Sequence, residues 1–99
     1  MSNPLTISAG AAVTLNSSHA LKVGKITVVA LSATAVSATM SDLGGNPMMV
    51  PIFVPGTANF EVTADYTIPL IIPGGTNLSV TNAIMTVTGA GGVAYIYHR

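Results

Sequence analysis

The chain has 99 residues, a formal net charge of zero, no cysteine and no tryptophan. That length holds one two-layer core and no second one, and the missing thiols exclude disulfides, thiolate catalysis and thiolate metal sites together. Charged residues make up 6% against 49% hydrophobic, where a soluble domain carries about a quarter charged, so the hydroxyls and amides of Thr, Ser and Asn must wet its surface.

In chain order, apolar residues are interrupted every few positions by Pro, Gly or Asn, and no long window carries a helical stripe free of β-branched residues. Leu5 to Ser8 and Ala12 to Leu15, bent around Gly10, read as one or two short strands, and Asn16-Ser17-Ser18 as a polar turn. Lys22 to Met40 is rich in Val, Ile, Thr, Ala and Ser. It is too long for one ordinary strand and divides near Ser32 to Thr34, with its alanines leaving helix as the competing reading. Asp42 to Pro47 is a strong turn, because Gly supplies positive φ and Pro cannot join a central ladder.

Met48 to Val54 reads as a strand in which Pro51 marks an edge or a bulge, closed by Pro55-Gly56-Thr57. In Ala58 to Ala64, Phe60, Val62 and Ala64 alternate with Asn59, Glu61 and Thr63, which predicts a half-buried strand with the first set inward. A further strand, Tyr66 to Ile72, contains Pro69 and ends at Pro73-Gly74-Gly75-Thr76, and Leu78 and Val80 alternate with polar neighbours beyond it. Ile84 to Thr88 and Val93 to His98 flank Gly89-Ala90-Gly91-Gly92 as a terminal hairpin, with Val93, Tyr95 and Tyr97 on one face of the last arm and Ala94, Ile96 and His98 on the other. The expected fold is a single all-β domain over residues 1–99. It is a β-sandwich of seven to nine short antiparallel strands, of jelly-roll or Greek-key type, with Met1 to Gly10 a candidate flexible N-terminal arm.

No catalytic, cofactor-binding or metal-binding residues are assigned. Glu61 and Asp65 are four apart on extended chain, over ~13 Å, too far to share acid–base work, and Asp42 stands alone in its turn. His19 and His98 lack ligand spacing, and no nucleophile elbow surrounds any serine. Gly89 to Gly92 leads into a strand, where a phosphate cradle needs a helix N-terminus, and Asp42 to Asn46 lacks the oxygen ligands of a calcium loop. Asn16-Ser17-Ser18 and Asn77-Leu78-Ser79 match the glycosylation sequon. Tyr95 and Tyr97, two apart on one strand face, are the only pair that could form a sugar platform, but packing in a core or subunit interface is the use expected of them.

Lys22, Lys25 and Arg99 are the only cations, too few for a phosphate-neutralising surface, so nucleic acid is not an expected partner. A membrane is not expected either, since Ile26 to Ser41 is short of the ~20 apolar residues of a spanning helix. Met1 to Leu5 lacks the basic and apolar regions of a secretory signal. A domain of this size buries roughly 65% of its extended-chain surface, and a near-neutral exterior opposes self-association weakly, so the apolar remainder predicts a homo-oligomer or a docked subunit.

In YTIPLIIPGGTNLSVT, from Tyr66 to Thr81, and in the closing VTGAGGVAYIYHR, the chain resembles small virion proteins of tailed bacteriophages. The shared features are Pro-Leu and Ile-Pro-Gly-Gly-Thr-Asn-Leu corners, a Gly-rich final hairpin and almost no charge, over about the C-terminal third. Capsid decoration, or cement, proteins of that kind are β-rich, oligomeric and often trimeric, and sit where capsomers meet. The resemblance therefore implies a non-enzymatic subunit on the capsid surface, assembled in the host cytoplasm and bound to itself and to the major capsid protein. A tail, fibre or spike subunit is one alternative, and a carbohydrate- or small-ligand-binding module another.

Overall fold

The computed structural model describes residues 3–15, 19–74 and 83–99. Among these the regular elements are all strands: β1 (Leu5–Ser8), β2 (Val13–Leu15), β3 (Leu21–Ala30), β4 (Val36–Asp42), β5 (Ile52–Val54), β6 (Phe60–Ile72), β7 (Ala83–Thr88) and β8 (Gly92–His98). The helical alternative for residues 22–40 is not taken. Val23, Ile26, Val28, Val36, Ala38 and Met40 are buried while most residues between them face outward, a period of two that a pleated strand satisfies and a helix does not. The division expected near Ser32 to Thr34 falls between β3 and β4.

The strands form two antiparallel sheets, a first in the order β1-β8-β3-β6 and a second in the order β2-β7-β4-β5. Ile7, Val23, Ile26, Val28, Ala94 and Ile96 of the first sheet share one buried cluster with Leu15, Val36, Met40, Ile52, Met85 and Val87 of the second, which makes the architecture a β-sandwich. Each Val, Leu, Ile or Met among them contributes about 1.5–3 kcal/mol relative to exposure, so the shared cluster is the main force holding the layers together.

Four expectations are corrected. The end of the chain is not a hairpin, because β7 lies between β2 and β4 in one sheet and β8 between β1 and β3 in the other. The glycine-rich link is instead a corner from sheet to sheet. Gly89 (φ 117) and Gly91 (φ 77) turn the chain there, and the Gly92 N–H donates to the Gly89 carbonyl at 3.0 Å. A Cβ on Gly89 would lie 2.2 Å from the Ala35 carbonyl oxygen, so only glycine lets the corner close onto the loop before β4.

Secondly, the two strands expected over Ala58 to Ala64 and Tyr66 to Ile72 are one, β6, since β3 offers a continuous partner. The break between them survives as a register shift, with Lys25 opposite Asp65 but Val23 opposite Leu70. Phe60, expected inward, is 44% exposed, because β6 is an edge strand and its first residue overhangs the core.

Thirdly, β5 begins at Ile52, not at Met48. The Met48 N–H donates to the Met40 carbonyl at 2.8 Å, Met49 is buried, and Pro51 has no N–H for the ladder. Finally, the chain start is not an arm from Asn3 onward. β1 pairs with β8 from Leu5↔Ile96 to Ser8↔Val93, and the Asn3 side chain donates to the His98 carbonyl at 2.6 Å while its Oδ1 accepts the His98 N–H at 3.1 Å. The Asn16 to Ser18 turn, Gly75-Thr76, the Leu78 and Val80 alternation and both sequons lie outside the described residues.

Candidate functional site: an apolar flank and a cationic cavity

The charged residues divide unevenly. Lys22 and Lys25 lie on β3, Glu61 and Asp65 on β6, and Arg99 follows β8, all on the first sheet, whereas the second carries only Asp42, at the end of β4. Glu61 stands opposite Val29 and Asp65 opposite Lys25, so β6 does not bring the two carboxylates together.

Asp42 organises its own turn. Its Oδ1 accepts the Gly44 and Asn46 N–H groups, both at 2.9 Å, and the Asn46 amide donates to Oδ2 at 3.1 Å. Those donors, the Asn46 N–H first, hold the carboxyl below its ordinary value. Its lone pairs are spent on the loop itself, the use an Asx turn makes of aspartate. His19 precedes β3 and His98 ends β8, and among the described residues no three His, Cys, Asp or Glu side chains gather as a metal site would require. No helix there is long and apolar enough to cross a membrane.

Outward positions are wetted by hydroxyls on both sheets. Thr27 and Thr63 meet across β3 and β6 at 2.9 Å, and Ser37, Thr39 and Ser41 of β4 neighbour Thr88, Thr86 and Ile84 of β7. Exposed apolar surface is concentrated elsewhere, where β5 and β6, each an edge strand of its sheet, run along the same flank. On or beside these strands lie Val50 (83% exposed), Phe53 (71%), Ile68 (86%), Phe60 and Ile71. The Tyr66 hydroxyl reaches the Met49 sulfur at 3.8 Å, tying the segment before β5 to β6. Burial raises the pKa of this tyrosine above its ordinary value. Phe53 also walls a cavity of about 460 Å³ with Val36 and Pro55.

The chain matches no known protein family, curated protein or solved structure.

A second cavity, about 390 Å³, opens at the register break on the first sheet, lined by Gly24, Lys25, Tyr66, Pro69, Tyr97 and Arg99 among others. Tyr66 to Pro69 stand opposite Gly24 alone, so the β6 edge balloons away from β3 and leaves the hollow. A Cβ at Gly24 would meet nothing within 4 Å. The Lys25 ammonium lies 4.4 Å from the Tyr97 ring centroid, a cation–π distance.

Tyr95 and Tyr97, which the sequence places on one strand face, therefore have different surroundings. Tyr95 stands in the ladder between Thr6 and Thr27, and Tyr97 shares its cavity with Tyr66 instead. Sequence reasoning missed that Tyr66, Lys25 and Arg99 converge. The available signal was Gly24, an isolated glycine inside a Val- and Ile-rich strand, which marks a bulge or a close backbone approach.

Proposed function

We propose that this chain is a structural virion subunit, a capsid decoration protein that binds copies of itself and the major capsid protein on the outside of a phage head. The observation that carries the reading is the flank along β5 and β6, where Val50, Phe53, Phe60, Ile68 and Ile71 leave the core's protection on two strand edges at once. Free edges and large exposed apolar side chains favour association, and a net charge of zero opposes it little. The strand order β1-β8-β3-β6 over β2-β7-β4-β5 supports the jelly-roll form of the sandwich, a fold used by viral capsid and lectin domains. No step of this function calls for catalysis; contacts present only in the assembled shell stabilise it by mass action.

The test is co-sedimentation of the purified chain with empty capsids, alongside light scattering for its own oligomer, a trimer being favoured. Phe53→Ser combined with Ile68→Ser should abolish pelleting and lower the mass in solution. Because both side chains are exposed, stability should shift by no more than about 0.5 kcal/mol per site. A monomer at high concentration that stays in the supernatant would sink the proposal, and pelleting with tails instead would move the subunit there. The cavity beside Lys25 supports a second reading, a ligand-binding module.

A further inference from the structure

We propose that the cavity at the Gly24 bulge binds an acidic sugar, a pyranose ring bearing a carboxylate. This develops the ligand-module reading and stands independently of capsid docking, so either can fail alone.

Three observations converge on it. The first is charge. Lys25 and Arg99 line the cavity, and Lys22 is joined to Arg99 in both directions, its N–H donating to the Arg99 carbonyl at 3.3 Å and its carbonyl accepting the Arg99 N–H at 2.9 Å. Every cation of the chain is thus at this end of the first sheet. On the facing strand β6, Asp65 is the carboxylate in register with Lys25, while Glu61 lies further along, opposite Val29. A guanidinium and an ammonium at the rim of one hollow suit a carboxylate, which accepts charge-assisted hydrogen bonds from both.

The second is shape. At about 390 Å³ the hollow falls within the roughly 300–1,000 Å³ of small-molecule sites, large enough for a ring and more than an inorganic anion needs. Its walls include Tyr66, Tyr97 and Pro69. Such flat apolar surfaces take the C–H face of a sugar, while the Tyr97 hydroxyl can pair with one of its own; the Tyr66 hydroxyl is already turned to the Met49 sulfur.

The third is preorganisation. The end of β8 that carries Tyr97, His98 and Arg99 is clamped on one side by Asn3 and on the other by Lys22. The hollow itself exists because the strands lose register at Gly24, and bulges beside sites serve to re-aim side chains. The β8 wall of the site, held by ladder hydrogen bonds, loses little ordering entropy on binding.

The test is an NMR titration of the full chain with glucuronic acid, N-acetylneuraminic acid, glucose and acetate in parallel. Either acidic sugar should shift the amides of Gly24, Lys25 and Tyr97 saturably, the tighter one naming the source, and glucose and acetate should bind about tenfold more weakly or not at all. Lys25→Gln should weaken the acidic sugar by about ten- to a hundredfold. Gly24→Leu, whose side chain projects into space that is open in the native chain, should block it with the remaining spectrum retained. Equal affinity for glucose, equal affinity for acetate, or undiminished binding by the Gly24→Leu protein would each overturn the proposal.

Discussion

Outward positions of the first sheet hold Lys25, Glu61 and Asp65 among Thr6, Thr27 and Thr63, whereas those of the second hold Ser37, Thr39, Ser41, Thr86, Thr88 and Phe53 and no ion. Inward, the two are alike, each offering Val, Ile or Met at alternate residues to the same cluster. The difference teaches that the second sheet is wetted mainly by hydroxyl side chains, and that the cations are gathered toward one end of the first. The first sheet is also the one whose register breaks, at Gly24. Lys25, Arg99 and the register break line the same hollow there, and bulges of this kind re-aim neighbouring side chains.

The largest expected effect tests the likeness of the two interiors. Ile26→Ala on the first sheet and Met85→Ala on the second, both fully buried, should each cost about 2–5 kcal/mol in urea unfolding. A near-neutral result for one of them would mean that the sheets do not share a core.

Smaller and sharper is a comparison of two glycines. Gly89→Ala places a Cβ 2.2 Å from the Ala35 carbonyl oxygen at a φ of 117 and should cost more than about 1 kcal/mol. Gly24→Ala, with nothing within 4 Å, should stay within about 0.5 kcal/mol. Equal costs would remove the distinction between a corner that needs glycine and a hollow that merely uses it.

The smallest effect concerns the second sheet's only ion. Asp42 has its folded pKa below the ordinary value of a free aspartate, so the stability it contributes is present above the unfolded value and is lost as pH falls through the folded one. Thermal midpoints of the native chain should therefore drop slightly on strong acidification, and Asp42→Asn should flatten that acid limb. An unchanged limb would show that the Gly44 and Asn46 N–H bonds to this carboxylate do not favour its charged form.

Much of the fold could be read in the chain. The strand of Ile84 to Thr88, the separation of Ala94 and Ile96 from Tyr95 and Tyr97 onto opposite faces, the division before Val36 and the turn at Asp42 all follow from local alternation and turn chemistry. The terminal hairpin did not, because Gly89 to Gly92 serves a tight return and a sheet-to-sheet corner equally well, and the choice depends on partners elsewhere. The break at Asp65 was visible, yet it came out as a bulge rather than as the end of a strand, since β3 continued beside it. Of the cavity, only Tyr97 stood out in advance. Tyr66 and Arg99 are 33 residues apart and meet only through the pairing of β3 with both β6 and β8.

The sequence by itself determined that the chain would be strands of alternating pattern, that hydroxyls would coat the outside, and that neither thiol nor ion cluster would stabilise the interior. These follow from composition and from the two-residue period of a pleated chain, both of them local. Tertiary structure alone decided which strands neighbour one another, that β5 and β6 expose their edges on one flank, and that Lys22, Lys25 and Arg99 share one end of a sheet. Ladder pairing joins residues as distant as Leu5 and Ile96, and no local pattern specifies a partner so far along the chain.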